Sequence, residues 1–528
     1  MEQRNIILAF ALSMVVLLGW SALFPQQPQQ EAAVQQVVQS PADANQKDSG
    51  AEPPLAEMAS TPDHAAVQQV SPSSSSLFSD KKFTVSNDLM SLTMDGKGWF
   101  VQSVLKNYRE SIESDSANEK VLSMSDDGRS VYVNSGVMGQ SIKQPFHVTD
   151  QSAHAMVLQA ELENGQVWQR TISLVQGSYI VDVEDKIIGG AGQKIYRQVV
   201  ERHPDKKLNT FYEHMGPTAL LDGKLTEPDY DDLDKESVRM AAVGGWTAIM
   251  NRYFIAALIS NKDQDYPYYF KGDGRSYQAG LIDDGKLEGS DAVFHARMYL
   301  GPKSIAVLQQ AGEGLERSVD YGWFAFIAKP MHSFLFWMYG LLPNFGWCII
   351  LLVLCIKILF FWPTQKSYES MAAMRKLQPE LTRMKDLYGD DRQKMSQEMM
   401  SLYKKHKVNP LGGCLPILIQ IPVFFALYKV LLMSIEMRQA PFIGWIHDLS
   451  VQDPYFVLPV LMGASMYIQQ KLNPQPPDPM QAKIMQFLPP VFTILFLFFP
   501  AGLVLYWVVN NTLSIMQQKL VMKRMNVE

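Results

Sequence analysis

Lys357 stands where a charge is costly. It lies inside WCIILLVLCIKILFFW, an apolar run otherwise suited to hydrocarbon. An ammonium at such depth faces a wet cavity and marks a working site. It can also snorkel to headgroups, because about five residues, or ~8 Å at 1.5 Å per residue, separate it from the end of its run. Spacing alone leaves both readings open. The chemistry on offer is attraction for carboxylates.

Other polar residues recur on the apolar segments. Tyr506, Asn510, Ser514 and Gln517 follow at steps of four, four and three, on one helical face. Gln420 lies between Pro416 and Pro422, where backbone hydrogen bonds are partly lost. Ser465 and Gln469 share a face. Interhelical hydrogen bonding accounts for any one of these sets. Together with a lysine they point to a polar groove.

Nothing in the pattern points to a catalyst. The spans carry no Ser/His, paired-Asp or His/Glu set, and no phosphate-binding G-x-x-x-x-G-K-[ST] occurs. The three cysteines, Cys348, Cys355 and Cys414, lack metal-ligand spacing. His147, His154, His203, His214 and His295 are scattered, and the acidic stretch at 229–236 reads as a solvated loop. The expectation is no catalytic residue, no metal, no cofactor and no direct reading of nucleic acid.

Six apolar segments are candidate spans: 6–24, 345–363, 415–433, 455–470, 486–499 and 503–518. The last two fall short of the ~20 residues of a comfortable crossing, which implies thinned bilayer or mutual burial. The formal net charge of −6 is segregated along the chain. Ten Lys and Arg lie in the loop at 364–414, and Lys519, Lys523 and Arg524 follow the last span. The positive-inside rule places these in the cytoplasm, with both termini, and residues 25–344 outside.

The expected fold is a multi-domain membrane protein, with an α-helical polytopic core of six transmembrane helices, the N-terminal anchor included, and a large mostly-β sandwich domain. An anchor at 1–24 precedes a Gln/Pro/Ser-rich linker at 25–78. The sandwich occupies 79–318, with period-two runs such as AMVLQAEL, QVWQRTISLV and SYIVDVEDKII, the last two joined by a QGS turn. GPKSIAVLQQAGEGL reads as helical. Residues 319–344 are aromatic-rich; Pro330 breaks them, and a helix at 331–342, too short to span, lies flat at the interface. A five-span core at 345–518 and a basic tail at 519–528 complete the chain.

The loop at 364–414 reads as a helical hairpin. Met371, Met374, Leu377, Leu381, Met384 and Leu387 form one stripe, YGDD makes the turn, and Met395, Met399 and Leu402 continue on a second helix. One reading is a hairpin packed on itself near anionic lipid. The other gives Met371, Met374, Met395 and Met399 to apolar client segments.

Several long stretches carry a resemblance: YESMAAMRKLQPEL, KVNPLGGCLPILIQIPVFFALY, RQAPFIGWIHDLSVQDPYFVLPVLMG, DPMQAKIMQFLPP and FPAGLVLYWVVNN. The chain resembles the YidC/Oxa/Alb family of membrane protein insertases, of the Gram-negative type with a large periplasmic domain. That implies an inner-membrane insertase and chaperone for nascent membrane proteins, working alone or with the Sec translocon, with ribosome contact and with membrane lipids around it. It implies a positively charged groove open to cytoplasm and lipid. Lys357 matches a position where the family holds an arginine. Gln420, Tyr506 and Trp507 match positions that line the groove or touch substrate; Asn510 and Ser514 join them by spacing. A secondary transporter or channel is the alternative, weakened by the lack of inverted repeats and by a single deep charge.

Overall fold

The computed structural model describes residues 81–125, 128–206, 214–388, 391–406, 408, 415–474 and 479–526. The expected anchor at 1–24 and linker at 25–78 lie outside them.

Two antiparallel sheets form the sandwich. One has nine strands, running in space from Lys82–Ser86 through Ser130–Val137 and Ile195–Arg202 to Val238–Val243. The other has ten; Ala155–Glu161, Val167–Leu174 and Ile180–Ile188 pair in series, as the alternation predicts. QGS is the turn, with Gly177 at φ 66°. In Val167–Leu174 every second side chain is buried: Trp168, Arg170, Ile172 and Leu174.

Arg170 is the exception in that row, and it ties the sheets together. Its side chain and that of Asp185 are both 0 % exposed. Arg170 donates Nε to Asp185 Oδ1 at 2.7 Å and Nη2 to Oδ2 at 3.0 Å. It also reaches the opposite sheet, at Gly98 O (2.6 Å) and Ser135 Oγ (2.8 Å). From that sheet Arg197 donates to Asp185 Oδ2 at 2.9 Å, and Trp168 Nε1 closes the shell at 2.7 Å. Burial pushes the Asp185 carboxyl up, but Arg170 and Arg197 outweigh it and hold it below the usual range.

Helix α1 (Ile305–Ala311) leads out of the sandwich, and α2 (Ala325–Leu341) follows. The helix expected at 331–342 begins earlier and passes through Pro330. A proline this close to a helix start forfeits one bond, to the Phe326 carbonyl. Packing outweighs that loss: Phe324 stacks on Phe425 at 5.7 Å, and Ala328, Met331 and Leu335 are buried.

The span expected at 345–363 is broken. Helix α3 (Phe345–Leu359) and α4 (Phe361–Lys376) meet at 70°. Pro363 has no N–H for the Leu359 carbonyl. The Thr364 hydroxyl donates back to Phe360 O (2.7 Å) and Phe361 O (3.0 Å), a bond that bends helices. At 15 residues α3 is about 22 Å long. Among the described residues no single helix is long and apolar enough to cross a membrane; the bent pair passes by length and composition.

The hairpin is split too. After α4, Pro379 starts a separate helix, α5 (Gln378–Tyr388), and α6 is Arg392–Lys405. Asp391 caps α6, accepting from Lys394 N at 3.0 Å. Four more helices or helical segments close the core: α7 (Leu415–Met433), α8 (Val457–Leu472), α9 (Pro479–Phe496) and α10 (Ala501–Arg524). They correspond to the expected spans, α10 extending further at its C-terminal end.

Domain and core share one apolar interior. Polar contacts pin the segment after α7 to the sandwich. Ser304 Oγ donates to Glu436 Oε1 at 2.7 Å, Arg438 pairs with Glu119 at 2.7 Å, and Gln439 donates to Arg109 O at 2.9 Å.

Replacing Asp185 by Asn should destabilise the sandwich by about 3–5 kcal/mol, because two buried guanidinium groups lose their counter-charge. Thermal unfolding of the purified full chain, followed by β-sheet circular dichroism, reads this. Asp185 is depressed in the folded state, so its contribution is present above the unfolded carboxylate pKa and fades as pH falls through the folded one. The variant's stability should therefore depend less on pH in the acid range; an unchanged acid profile would count against the network.

Candidate functional site

A cavity of about 340 Å³ opens among α3, α4, α7, α8, α9 and α10. Lys357 lies on its wall. Its Nζ donates to Ser514 Oγ at 2.7 Å, and that hydroxyl donates its own proton to Asn510 O at 2.8 Å. The serine thus keeps its lone pairs for the ammonium. The lysine side chain points into the helix cluster.

Helix α10 supplies the polar face. Trp507, Asn510 and Ser514 line the cavity, and so does Asn511, which donates to Ser465 Oγ at 3.0 Å. Tyr506 does not line it. The phenol is buried behind the wall and accepts a hydrogen bond from Gln420 Nε2, so it orients Gln420, which does line the cavity. Gln517 also turns away: Nε2 donates to Thr364 Oγ1 at 3.1 Å, joining α10 to α4. Helix α8 adds Gln469 and Gln470, and Asn473 follows it.

The remaining wall is apolar: Phe360, Phe424, Met466, Leu488 and Phe492. Ile421 on α7 and Leu488 on α9 border the cavity and are exposed. The cavity therefore pairs a polar, cationic side with an apolar side. Two buried polar atoms of its lining residues, Trp507 Nε1 and Gln470 Oε1, have no hydrogen-bond partner among the described residues. Such atoms in a dry core would be costly; in a hydrated or client-filled cavity they are donors and acceptors in waiting.

The expected methionine surface differs. Met371 and Met374 are buried with Tyr368, Leu377, Leu381, Leu402, Tyr403 and Val521, in a small core that ties the hairpin to α10. Met399 packs at its edge and Met395 is half-buried. The stripe faces inward because it meets the end of α10, a partner that periodicity does not reveal. Leu387, expected on the stripe, is exposed. Thr364, Gln470, Asn473 and Asn511 were not singled out from spacing. Asn511 adjoins Asn510 in sequence, the one signal that was available.

No group of three or more His, Cys, Asp or Glu among the described residues is arranged to hold a metal.

Comparison with known proteins bears on both halves. Residues 82–334 match the family described as YidC periplasmic domain, and residues 337–528 the family described as 60Kd inner membrane protein. A protein of Marinobacter nauticus described as membrane protein insertase YidC is 38 % identical over 576 residues, covering 100 % of this chain and 99 % of its own. One of the same description from Magnetococcus marinus is 46 % identical over 424 residues, 76 % of each chain. A third, from Saccharophagus degradans, is 40 % identical over 480 residues, 86 % of this chain and 85 % of its own. On these matches, which together span the sandwich and the helical core, the chain belongs to the YidC family of membrane protein insertases.

Proposed function

We propose that this protein inserts nascent inner-membrane proteins through the cavity beside Lys357, and that it does so without covalent chemistry. One observation carries the reading: a lysine bonded to Ser514 on the wall of a cavity of about 340 Å³ that is polar on one side and apolar on the other.

A polar client segment that must cross the bilayer leaves water for Gln420, Asn510, Asn511 and Gln469 and avoids bare hydrocarbon. Those side chains replace part of a desolvation cost of several kcal/mol per unsatisfied group. Carboxylates in the segment are drawn to Lys357. The client's apolar part lies against Phe424, Met466 and Phe492, then leaves between Ile421 and Leu488 into lipid. Burial there at ~25 cal/mol per Å² drives release. Short helices such as α3 reduce the remaining distance.

In this reading the chain is multi-pass, with six spans, both termini in the cytoplasm and residues 25–344 in the periplasm. The cavity opens to cytoplasm and lipid. The basic hairpin and tail meet the ribosome, and the protein serves clients alone or beside the Sec translocon. In this reading Met395 and Met399 are hairpin methionines that meet the client.

Insertion of a client with an acidic outer segment should fall about fivefold in Lys357→Ala, the factor that ~1 kcal/mol of lost attraction gives, and further in Lys357→Glu. Lys357→Arg should retain it. Protease protection of the client in membrane vesicles measures this; equal protection for all four proteins would take the charge out of the mechanism.

Removing residues 378–405 should abolish delivery, and because it takes Leu381, Leu402 and Tyr403 out of the small core around Met371 and Met374 it should lower thermal stability as well. Insertion lost, with the sheet domain still unfolding cooperatively, is the expected pair of results. Full insertion by the shortened chain would reduce the hairpin to a connector.

A further inference from the structure

Helix α10 runs past the expected end of its span, and its last turns lie on the hairpin. Val521 is buried in the small core that holds Met371, Met374 and Leu402, and Met525 packs at its edge with Met384 and Met399. Met522 is buried too, and Arg375 Nη1 donates to its sulfur at 3.9 Å. This small core is separate from the large apolar interior that the sandwich shares with the helical core. The hairpin and the end of α10 can therefore part while the large interior stays packed.

The contact has the chemistry of a seat that can change occupants. Methionine dominates its edge, and that flexible, polarizable side chain repacks on partners of different shape. Nearer the cavity α10 is fixed by hydrogen bonds: Ser514 to Lys357, Gln517 to Thr364 and Gln518 to Asn473. Beyond Gln518 apolar packing takes over, and a sulfur is a weak acceptor for Arg375. Charge opposes the contact. Residues 364–414 carry ten Lys and Arg against six Asp and Glu, and residues 519–528 three against one. Lys376, Arg383, Lys404 and Lys405 are exposed on the hairpin, and Lys523 and Arg524 on α10. Bringing like charges together costs stability. An apolar segment without basic residues fits the same seat and escapes that cost. The stripe also outruns its cover, since Leu387 at its far end is exposed.

We infer that the end of α10, through Val521, Met522 and Met525, occupies the methionine face of the hairpin as an intramolecular stand-in for an apolar client segment, and that a client displaces it on docking. This rests on the reading of the chain as an insertase whose hairpin receives clients. Under it the inward-facing methionines are a client surface kept covered until a client arrives, which spares the cytoplasm an exposed apolar patch.

The test uses the full chain in membrane vesicles, with p-benzoylphenylalanine in place of Met399 and a ribosome-bound nascent chain bearing a leucine-rich segment as the probe. Without the nascent chain, light should join position 399 to the peptide around Met525. With it bound, that product should fall and a product with the nascent chain should take its place. Val521→Ala with Met525→Ala removes apolar packing from α10 alone, so at subsaturating nascent chain the intermolecular product should rise about tenfold. A second arm keeps the proposal testable where the alanine pair does not accumulate. The three cysteines are replaced by serine, and Met384→Cys and Met525→Cys, both at the edge of the small core, are joined by a cleavable bis-maleimide linker. The tether should lower insertion, and cleaving the linker should restore it. An internal product undiminished by bound nascent chain, or full insertion by the tethered protein, would make the contact a fixed part of the fold and overturn the proposal while leaving the insertase reading intact. A parent that inserts nothing would overturn that reading, and the stand-in with it.

Discussion

An ammonium among apolar helices needs acceptors and water, and the helical core is organised around supplying them. Ser514 accepts from Lys357 and joins α3 to α10. The same helix reaches its other neighbours in the same manner. Asn511 bonds Ser465 on α8, Gln517 bonds Thr364 on α4, Tyr506 receives Gln420 from α7, and Gln518 donates to Asn473 just beyond α8 at 3.1 Å. Each such bond between membrane helices contributes roughly 0.6 kcal/mol. Their joint effect is geometric. Helix α10 becomes a polar spine, and among the described residues its side facing α9 makes apolar contacts such as Trp507 on Phe496.

That asymmetry shapes the cavity. Where polar pairs join helices, the wall is polar and pinned by hydrogen bonds. Where Phe424 and Phe492 line the space, the wall is apolar and borders exposed Ile421 and Leu488. Along α9, Phe487, Val491 and Ile494 are exposed as well. Apolar surface of this extent suits lipid and is foreign to a water-facing wall. The proline pattern works with it. Pro363 ends the straight run after Lys357, and Pro422 lies two residues from Gln420. The charge and the amide thus sit near interruptions in the helices, where freed carbonyls add polarity.

The sandwich solves a different problem. Its two sheets meet over an apolar interior, yet at one point they are joined by Arg170, Asp185 and Arg197. Such an arrangement contributes little net stability over a hydrophobic filling but is costly to break by halves. The lower end of the domain joins the core through Ser304, Glu119 and Arg109, all meeting the segment after α7. From there the chain continues into the segment that packs on the N-terminal ends of α3, α8 and α10.

Residue type and period alone were enough for much of this. The two-residue alternation of Val167–Leu174 and Ile180–Ile188 marked strands, since one face had to be buried. The 415–433 helix matched residue for residue, because an apolar run that long has no better use. Lys357, Gln420, Asn510 and Ser514 stood out as polar atoms in apolar runs. The tertiary structure decided what those atoms do. Tyr506 and Gln517 share a helical face with Ser514, yet one supports Gln420 from behind and the other clasps α4, because a face can have several neighbours. Met371 and Met374 went inward since α10 arrives from more than a hundred residues away. Arg170 falls by alternation on the apolar face with Trp168 and Ile172, and only the assembled sheets bring Asp185 and Ser135 within its reach. The bends at Pro363 and Pro379 were visible as prolines, but how far each helix turned depended on what it packed against. Local pattern settles which atoms need partners; only the assembled chain settles which partners they find.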